Sequence, residues 1–310
     1  MSQSFKIPKI TIGGNVFGWT LNENESFKVL DSFVENGLNF IDTANIYSTW
    51  VPGNKGGESE VIIGNWLKKR GKRDDIIIAT KVGGEIGGKK GLSKANITKE
   101  VEDSLKRLKT DHIDLYISHF DDENTPVSDV IETYNKLLKE GKIKNIGASN
   151  FKLSRLQESN DFAKKNGLQG YISIQPEYNL YDREKFEKEY VEFLKNEKLI
   201  VTPYYSLASG FLSGKYKTEE DYAKSARGAG IKQKYFNQRG EKIIKALSEV
   251  AKESGATFSE VSIAWLLSKP YITSPIASAT SASQVKELAN AAKLKLSVEQ
   301  VKKLDLASNY

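Results

Sequence analysis

Short apolar runs rich in β-branched residues alternate along this chain with longer segments whose apolar positions recur every three and four residues. A period of two marks strands and a period near 3.6 marks amphipathic helices, so the alternation predicts repeated βα units and a parallel sheet. Strands are predicted at 11–16, 38–42, 76–81, 113–119, 143–147, 172–175, 199–203 and 272–276, after a hairpin around 5–12. Helices are predicted between them at 25–36, 58–70, 97–108, 127–140, 152–166, 183–196, 241–254 and 281–292, with two extra ones at 259–268 and 297–307.

Local signals support this division. Thr98 precedes a helical run, and Ser297 stands three residues before Gln300 as in a capping box. Gly37, Gly71, Gly141 and Gly167 follow predicted helices, where a glycine closes the last turn. No Pro/Gly/Ser-rich linker divides the chain, so a single domain over 1–310 is expected. Eight units in this length favour a closed (β/α)8 barrel, with its N-terminal hairpin and extra C-terminal helices, over an open doubly wound sheet. The glycine-rich stretch 83–88 runs into a basic loop rather than a helix, so it reads as a mobile loop and not as a dinucleotide fingerprint.

Composition removes several chemistries. With no cysteine and two histidines among 310 residues, the chain has no thiol nucleophile, disulfide or Cys/His zinc site. It is 39% hydrophobic and 28% charged, without an apolar run long enough for a membrane span. The start, MSQSFKIPKI, lacks the apolar core of a signal peptide, so a cytoplasmic location is expected. The net charge of +6 comes from lysines scattered among acids, which argues against a nucleic-acid arm and suits phosphorylated small ligands.

The chemistry of a barrel of this kind sits where the strands end. Here the strands close on Asp42, Lys81 and His119, then on Ser149 with Asn150, Gln175 and Tyr204. Alternation puts Phe40 with Asp42, Ile77 and Ala79 with Lys81, and Ile113, Leu115 and Ile117 with His119, so each polar residue continues an inward apolar row. Buried ionisable groups cost several kcal/mol apiece unless they pair, and their convergence makes sense as a network. Tyr47, five residues beyond Asp42, adds a phenol. Lys81 is expected to lower its pKa, with Asp42 holding Lys81 and His119 donating to a carbonyl oxygen. His112, on the other face from His119, is expected to be solvated.

These residues carry a resemblance to the aldo-keto reductases that covers essentially the whole chain. DTANIY (42–47) resembles the family's Asp-Thr-Ala-x-x-Tyr motif, IATK (78–81) its lysine strand, and SLKRLKTDHIDLYISH (104–119) the segment leading to its histidine. GKIKNIGASN (141–150), IQPEYN (174–179) and PYYSLASGFLSGKY (203–216) follow in the family's order. The resemblance implies a hydride transfer from NADPH to an aldehyde or ketone, with Asp42, Tyr47, Lys81 and His119 as the catalytic four and no metal. It further implies that Asn15, Asp42, Ser149, Asn150 and Gln175 lie at the nicotinamide end of the cofactor, with Tyr204 stacked on the ring. Ser206, Leu207, Ser209, Gly210, Lys215 and Arg227 would meet its phosphates, and Thr280, Gln284 and Glu287 its adenosine end.

The sequence also departs from the family. The loop 279–284 lacks the arginine that pairs bidentately with a 2′-phosphate, which leaves NADH within reach. Tyr205 and Ser206 stand where Ser and Pro are common, and the stretches 13–19 and 48–60 are atypical. Trp19 and Trp50 are expected to wall the substrate pocket. Two rival readings remain: a lyase that forms a Schiff base on Lys81, and a cofactor-binding partner protein like the potassium-channel beta subunits of the same family.

Overall fold

The computed structural model describes residues 7–216, 219–223 and 228–310. Eight strands form one sheet: β1 (Thr11–Gly13), β2 (Phe40–Asp42), β3 (Ile77–Val82), β4 (Leu115–Ser118), β5 (Ile146–Ser149), β6 (Ser173–Gln175), β7 (Ile200–Val201) and β8 (Ile276–Ala277). Their order is β7-β6-β5-β4-β3-β2-β1-β8, and every ladder in it is parallel. The two ends of that order meet. Thr273 and Ser274 donate their N–H groups to Val201 O, and Ile276 donates to Pro203 O, which closes the (β/α)8 barrel.

The outer layer is α1 (Glu23–Glu35), α2 (Glu58–Arg70), α3 (Lys94–Leu108), α4 (Val127–Lys139), α5 (Leu153–Lys165) and α6 (Glu184–Leu194), followed by α7 (Glu219–Ala223), α8 (Gly228–Tyr235), α9 (Gln238–Ser254), α10 (Phe258–Leu267), α11 (Ala282–Ala291) and α12 (Val298–Ala307). Caps decide where these begin. Asn22 and Glu25 form a capping box that starts α1 at Glu23, two residues before the expected start, and Ser93, rather than the expected Thr98, caps α3. The expected box of Ser297 and Gln300 opens α12. The helices are held by apolar burial plus specific bonds. Trp66 of α2 is buried and donates its indole N–H to Asp31 of α1 at 2.7 Å.

Small residues and bulky ones divide the barrel interior. Phe40, Ala79, Leu115 and Ile117 form its apolar cluster, with Ile77 and Ile7 packed against it. On the far side the interior is lined by small groups. Gly147 leaves 3.3 Å between a hypothetical Cβ and both Ile117 Cγ1 and Ser173 Cβ, and Thr11 Oγ1 lies 2.7 Å from Ser274 Oγ. Ile113, expected in the inward row, belongs instead to the large cluster between sheet and helices.

Several boundaries differ from the sequence pattern. The first strand ends at Gly13, because Gly14–Val16 forms a 3-10 turn held by Ser59 Oγ donating to Gly14 O at 2.8 Å. The expected hairpin at 5–12 starts outside the described residues, and from Ile7 to Ile10 the chain is not a strand. The fifth strand lies three residues later than expected, with Ile143 kept only as an isolated bridge to Ile113, and the eighth starts at Ile276. The stretch 83–91 folds back through reciprocal bonds between Ile86 and Lys89 and from Gly91 N to Gly83 O. His112 is not simply solvated: its ring sits between Asp111 Oδ1 at 2.7 Å and Lys144 Nζ at 2.8 Å.

Candidate active site

The sheet register brings the strand-end residues together. Asp42 pairs in register with Ala79, and Lys81 with Ile117, so each successive strand carries its polar residue about two positions further up the barrel. Backbone bonds from Thr43 N to Ala79 O and from His119 N to Val82 O extend the ladders past the strands. Tyr47 is placed by the loop between them: Tyr47 N donates to Ala44 O, and Ser48, in a left-handed conformation, donates its hydroxyl to Phe17 O at 2.9 Å.

Lys81 Nζ uses all three of its donors: 2.7 Å to Asp42 Oδ2, 2.8 Å to Thr43 O and 2.8 Å to Tyr47 OH. Tyr47 OH donates to the same Asp42 oxygen at 3.1 Å. Asp42 and Lys81 are almost wholly buried. Burial lowers the Lys81 pKa from its ordinary value, and the charges of Asp42 and then Glu60 oppose that shift. For Tyr47 the expected lowering is not what the structure gives. Burial and then the adjacent Asp42 carboxylate push the phenol well above its ordinary pKa, because the carboxylate shared with Lys81 is also a neighbour of the hydroxyl. The resting site therefore holds a protonated phenol.

His119 completes the group from the other side, its ring centroid 6.2 Å from that of Tyr47. Burial and then the charge of Lys81 hold its pKa well below the ordinary value, so the imidazole is neutral at pH 7. Its Nδ1 is buried and has no hydrogen-bond partner among the described residues. Aromatic rings continue outward in a chain. Phe120 stacks on His119 at 4.6 Å, Trp50 lies 6.2 Å from Tyr47, and Trp19 meets Trp50 edge-on at 5.5 Å. Trp50 and Phe120 are both exposed, so this chain forms a rim above the phenol.

Strands β5 to β7 present neutral groups. Ser149 Oγ donates to Gln175 O, Asn150 Nδ2 donates to His119 O, and Tyr204 OH donates to Asn150 Oδ1, all at 2.8–2.9 Å. Gln175 Nε2 donates to Asp42 Oδ1 at 2.9 Å, tying this side to the charged group. A cavity of about 330 Å³ opens here, beside the charged group rather than over it. Asn150, Gln175 and Tyr204 face it from the barrel, Phe151 from the loop before α5, and Phe186 and Tyr190 from α6.

The other sequence candidates fall along one line from β7 to α11. Ser206 Oγ donates to Pro203 O and holds the turn. After Leu207, three successive residues have positive φ, Ala208, Ser209 and Gly210, in a tight turn where Ala208 N donates to Tyr205 O and Gly210 N to Leu207 O. Lys215 Nζ lies against it, about 3.2 Å from where a Cβ on Gly210 would be. Arg227 lies outside the described residues. Thr280 donates its N–H and its hydroxyl to Gln284 Oε1, Ser278 and Asn15 are hydrogen-bonded to each other, and Glu287 sits half-buried with Glu260 nearby. Among the described residues no group of acidic and histidine side chains is placed to hold a metal.

A family model, Aldo/keto reductase family, matches residues 9–309. The chain belongs to the aldo/keto reductase family. An uncharacterized oxidoreductase of Bacillus subtilis, YrpG, is 32% identical over 308 residues, covering 97% of this chain and 92% of its own. A probable aryl-alcohol dehydrogenase of Saccharomyces cerevisiae, AAD4, is 30% identical, covering 92% and 88%. A probable voltage-gated potassium channel subunit beta of Arabidopsis thaliana is 31% identical, covering 91% and 86%. Sequence reasoning missed the bond from Gln175 to Asp42, which joins residues 133 apart. It also missed Glu60, although a glutamate in the stripe with Ile63 and Leu67 is a charge at a core position.

Proposed function

We propose that this aldo/keto reductase reduces an aldehyde or ketone at the expense of NADPH, with Tyr47 giving the proton. The observation that carries this reading is the 2.8 Å contact between Tyr47 OH and a fully buried, fully coordinated Lys81 ammonium. The Lys215 ammonium beside the turn at 208–210 suits a pyrophosphate, and the neutral amides of Asn150 and Gln175 suit a carboxamide. When bound, the dinucleotide supplies the hydride.

The chain's own residues supply the rest. Tyr47 holds a proton that burial and Asp42 keep in place until a carbonyl oxygen arrives. As negative charge grows on that oxygen, the hydroxyl hands over its proton and the Lys81 ammonium, already in contact, stabilises the phenolate left behind. Asp42 keeps Lys81 charged and aimed. Neutral His119 donates one hydrogen bond to the same carbonyl oxygen, with the rim of Trp19, Trp50 and Phe120 shielding the site from water. The Schiff-base reading fits poorly, since a lysine whose three N–H bonds are all engaged has no lone pair to offer. The whole chain, 1–310, acts as one functional domain in the cytoplasm.

The test is a panel of aldehydes and ketones offered with NADPH and with NADH, followed at the reduced cofactor's absorbance. Turnover many orders above the uncatalysed rate is expected. Cofactor binding without turnover on any carbonyl would favour a partner role, as the name of the plant channel-subunit relative suggests.

A further inference from the structure

Behind the charged group, on the outer face of the sheet, lies a second buried ionic system. Strand parity turns Thr80 outward where its neighbour Lys81 faces in. Thr80 Oγ1 donates to Glu60 Oε1 of α2 at 2.6 Å, and the other oxygen of Glu60 accepts from Arg107 Nε of α3 at 2.6 Å. Glu60 is completely buried. Arg107 is gripped in turn: a Cβ on Gly57 would fall 2.4 Å from Arg107 Cδ and one on Gly64 2.1 Å from Arg107 O, so only glycines admit this approach of α2 to α3. A second buried carboxylate, Glu100, accepts from Asn45 Nδ2 at 2.9 Å, and Asn45 N donates to Lys81 O.

A carboxylate taken out of water is costly, and helices α2 and α3 pack with many apolar groups that could have filled its place. Among the described residues, its hydrogen bond to the sheet is to Thr80, the residue next to Lys81. We propose that Glu60, paired with Arg107, is a positioning residue for the reductase chemistry: through Thr80 it fixes the stretch of β3 that carries Lys81. The Glu60 charge acts in the same direction, opposing the loss of the Lys81 proton that burial favours. The inference rests on the reading of Lys81 given above. The charged and titratable groups facing Lys81 are Asp42 at the end of β2, Tyr47 from the loop after it, His119 just past β4 and Glu60 from α2, with Tyr116 of β4 and Arg107 and Glu100 of α3 behind. A misplacement of about 1 Å at such a group costs up to about a hundredfold in rate.

Two variants separate this from a packing role. Glu60→Gln removes the charge and keeps the shape. In lysine-labelled protein the Lys81 resonance, assigned by its loss in Lys81→Met, is expected to titrate at lower pH in Glu60→Gln than in wild type. Thr80→Val removes the hydroxyl link with a side chain of the same shape. Well below its melting temperature it is expected to lose about tenfold in kcat, while the Kd for NADPH stays within about twofold. A Lys81 titration unmoved by Glu60→Gln, or wild-type kcat in folded Thr80→Val, overturns the proposal; if Glu60→Gln does not fold, Thr80→Val decides alone. The titration reads Lys81 without turnover. Full activity in Tyr47→Phe would therefore sink the proposed function while leaving this inference to its own readout.

Discussion

Each end of the barrel carries a buried carboxylate ringed by hydrogen-bond donors, and the two ends differ in what is left over. At the N-terminal end Asp114 accepts from Arg73 Nη2 at 2.7 Å, Ile78 N at 2.9 Å and Lys144 Nζ at 3.1 Å, and His112 is pinned beside it. Arg73 there is turned wholly to the protein, giving Nε to Thr110, Nη1 to Ile76 O and Nη2 to Asp114 and His112 O. At the C-terminal end Asp42 gathers Lys81, Tyr47 and Gln175, but the buried Nδ1 of His119 has no partner among the described residues and the phenol stays protonated beside a cation. Buried charge alone therefore does not mark a reaction site. What marks it is charge arranged around groups that still have something to give, at the end of the barrel where loops can surround a ligand.

The comparison breaks if the two networks do each other's work. Asp114→Ala is expected to destabilise the fold by about 3 kcal/mol, the cost of leaving a partly buried Arg73 without its partner, and to leave kcat unchanged. Chemical denaturation with activity measured on the folded fraction checks both halves. The pH dependence has a definite sign. Burial raises the Asp114 pKa, but the charge and hydrogen bond of Arg73, with Ile78 N and Lys144, outweigh it and hold it below the ordinary value. The unfolded chain then binds this proton more readily than the native one. The stabilisation is thus complete above the ordinary Asp pKa and lost as pH falls through the lowered one, so the gap between wild type and Asp114→Ala must narrow in acid.

Tyr47→Phe is the converse. It removes one hydroxyl from the C-terminal network, and turnover is expected to fall at least about 10²-fold, near 2.7 kcal/mol, with cofactor Kd changed only a few-fold. Stopped-flow turnover beside a fluorescence titration of the cofactor measures the two separately. Normal turnover in this variant would remove Tyr47 from the mechanism.

How much of this was legible in the sequence follows from range. Parity along a strand is a local rule, so the convergence of Asp42, Lys81 and His119 could be read from single runs of residues, and the structure brings them to one place. The direction of the Tyr47 pKa could not, because it depends on which oxygen of Asp42 faces the phenol and how deeply both are buried. Strand ends shifted where a distant contact overrides local propensity, as at Gly14, which Ser59 draws into a turn. The helices α7 and α8, in a stretch with few apolar residues in register, left no periodic trace to find.

A smaller effect sharpens the contrast within the C-terminal end, between its charged half and the neutral half on β5 to β7. Tyr204, hydrogen-bonded to Asn150, contributes a ring face and no charge. Tyr204→Ala is expected to weaken cofactor binding by about 1 to 3 kcal/mol through lost stacking while the rate at saturating cofactor changes little. Calorimetric titration showing undiminished affinity would move the nicotinamide away from β7.

The smallest effect concerns the loop 279–284, proposed to meet the adenosine end of the cofactor and lacking the arginine expected of the family. A 2′-phosphate carries close to two negative charges at neutral pH, and the loop 279–284 offers it hydroxyls but no cation. The structure narrows the offer further, because Thr280 gives both its N–H and its hydroxyl to Gln284, and Ser281 caps α11 while sharing a bond with Ser283. Neutral donors contribute about 0.5 to 1.5 kcal/mol each, against about 1.5 to 3 for a charged partner. The cation at hand is exposed Lys286, one turn along α11. From the sequence alone a preference for NADPH of tenfold to a hundredfold is expected, and the engaged hydroxyls point to its lower end, about tenfold in kcat/KM or near 1.4 kcal/mol. Because an exposed lysine and a phosphate are screened within about 8 Å at physiological salt, the preference should shrink as ionic strength rises. Steady-state kinetics with both cofactors at low and high salt measure this directly. A preference above about 10³ that ignores salt would require a buried arginine on the phosphate, with Arg227 the residue to test, and a preference for NADH would end the assignment of NADPH.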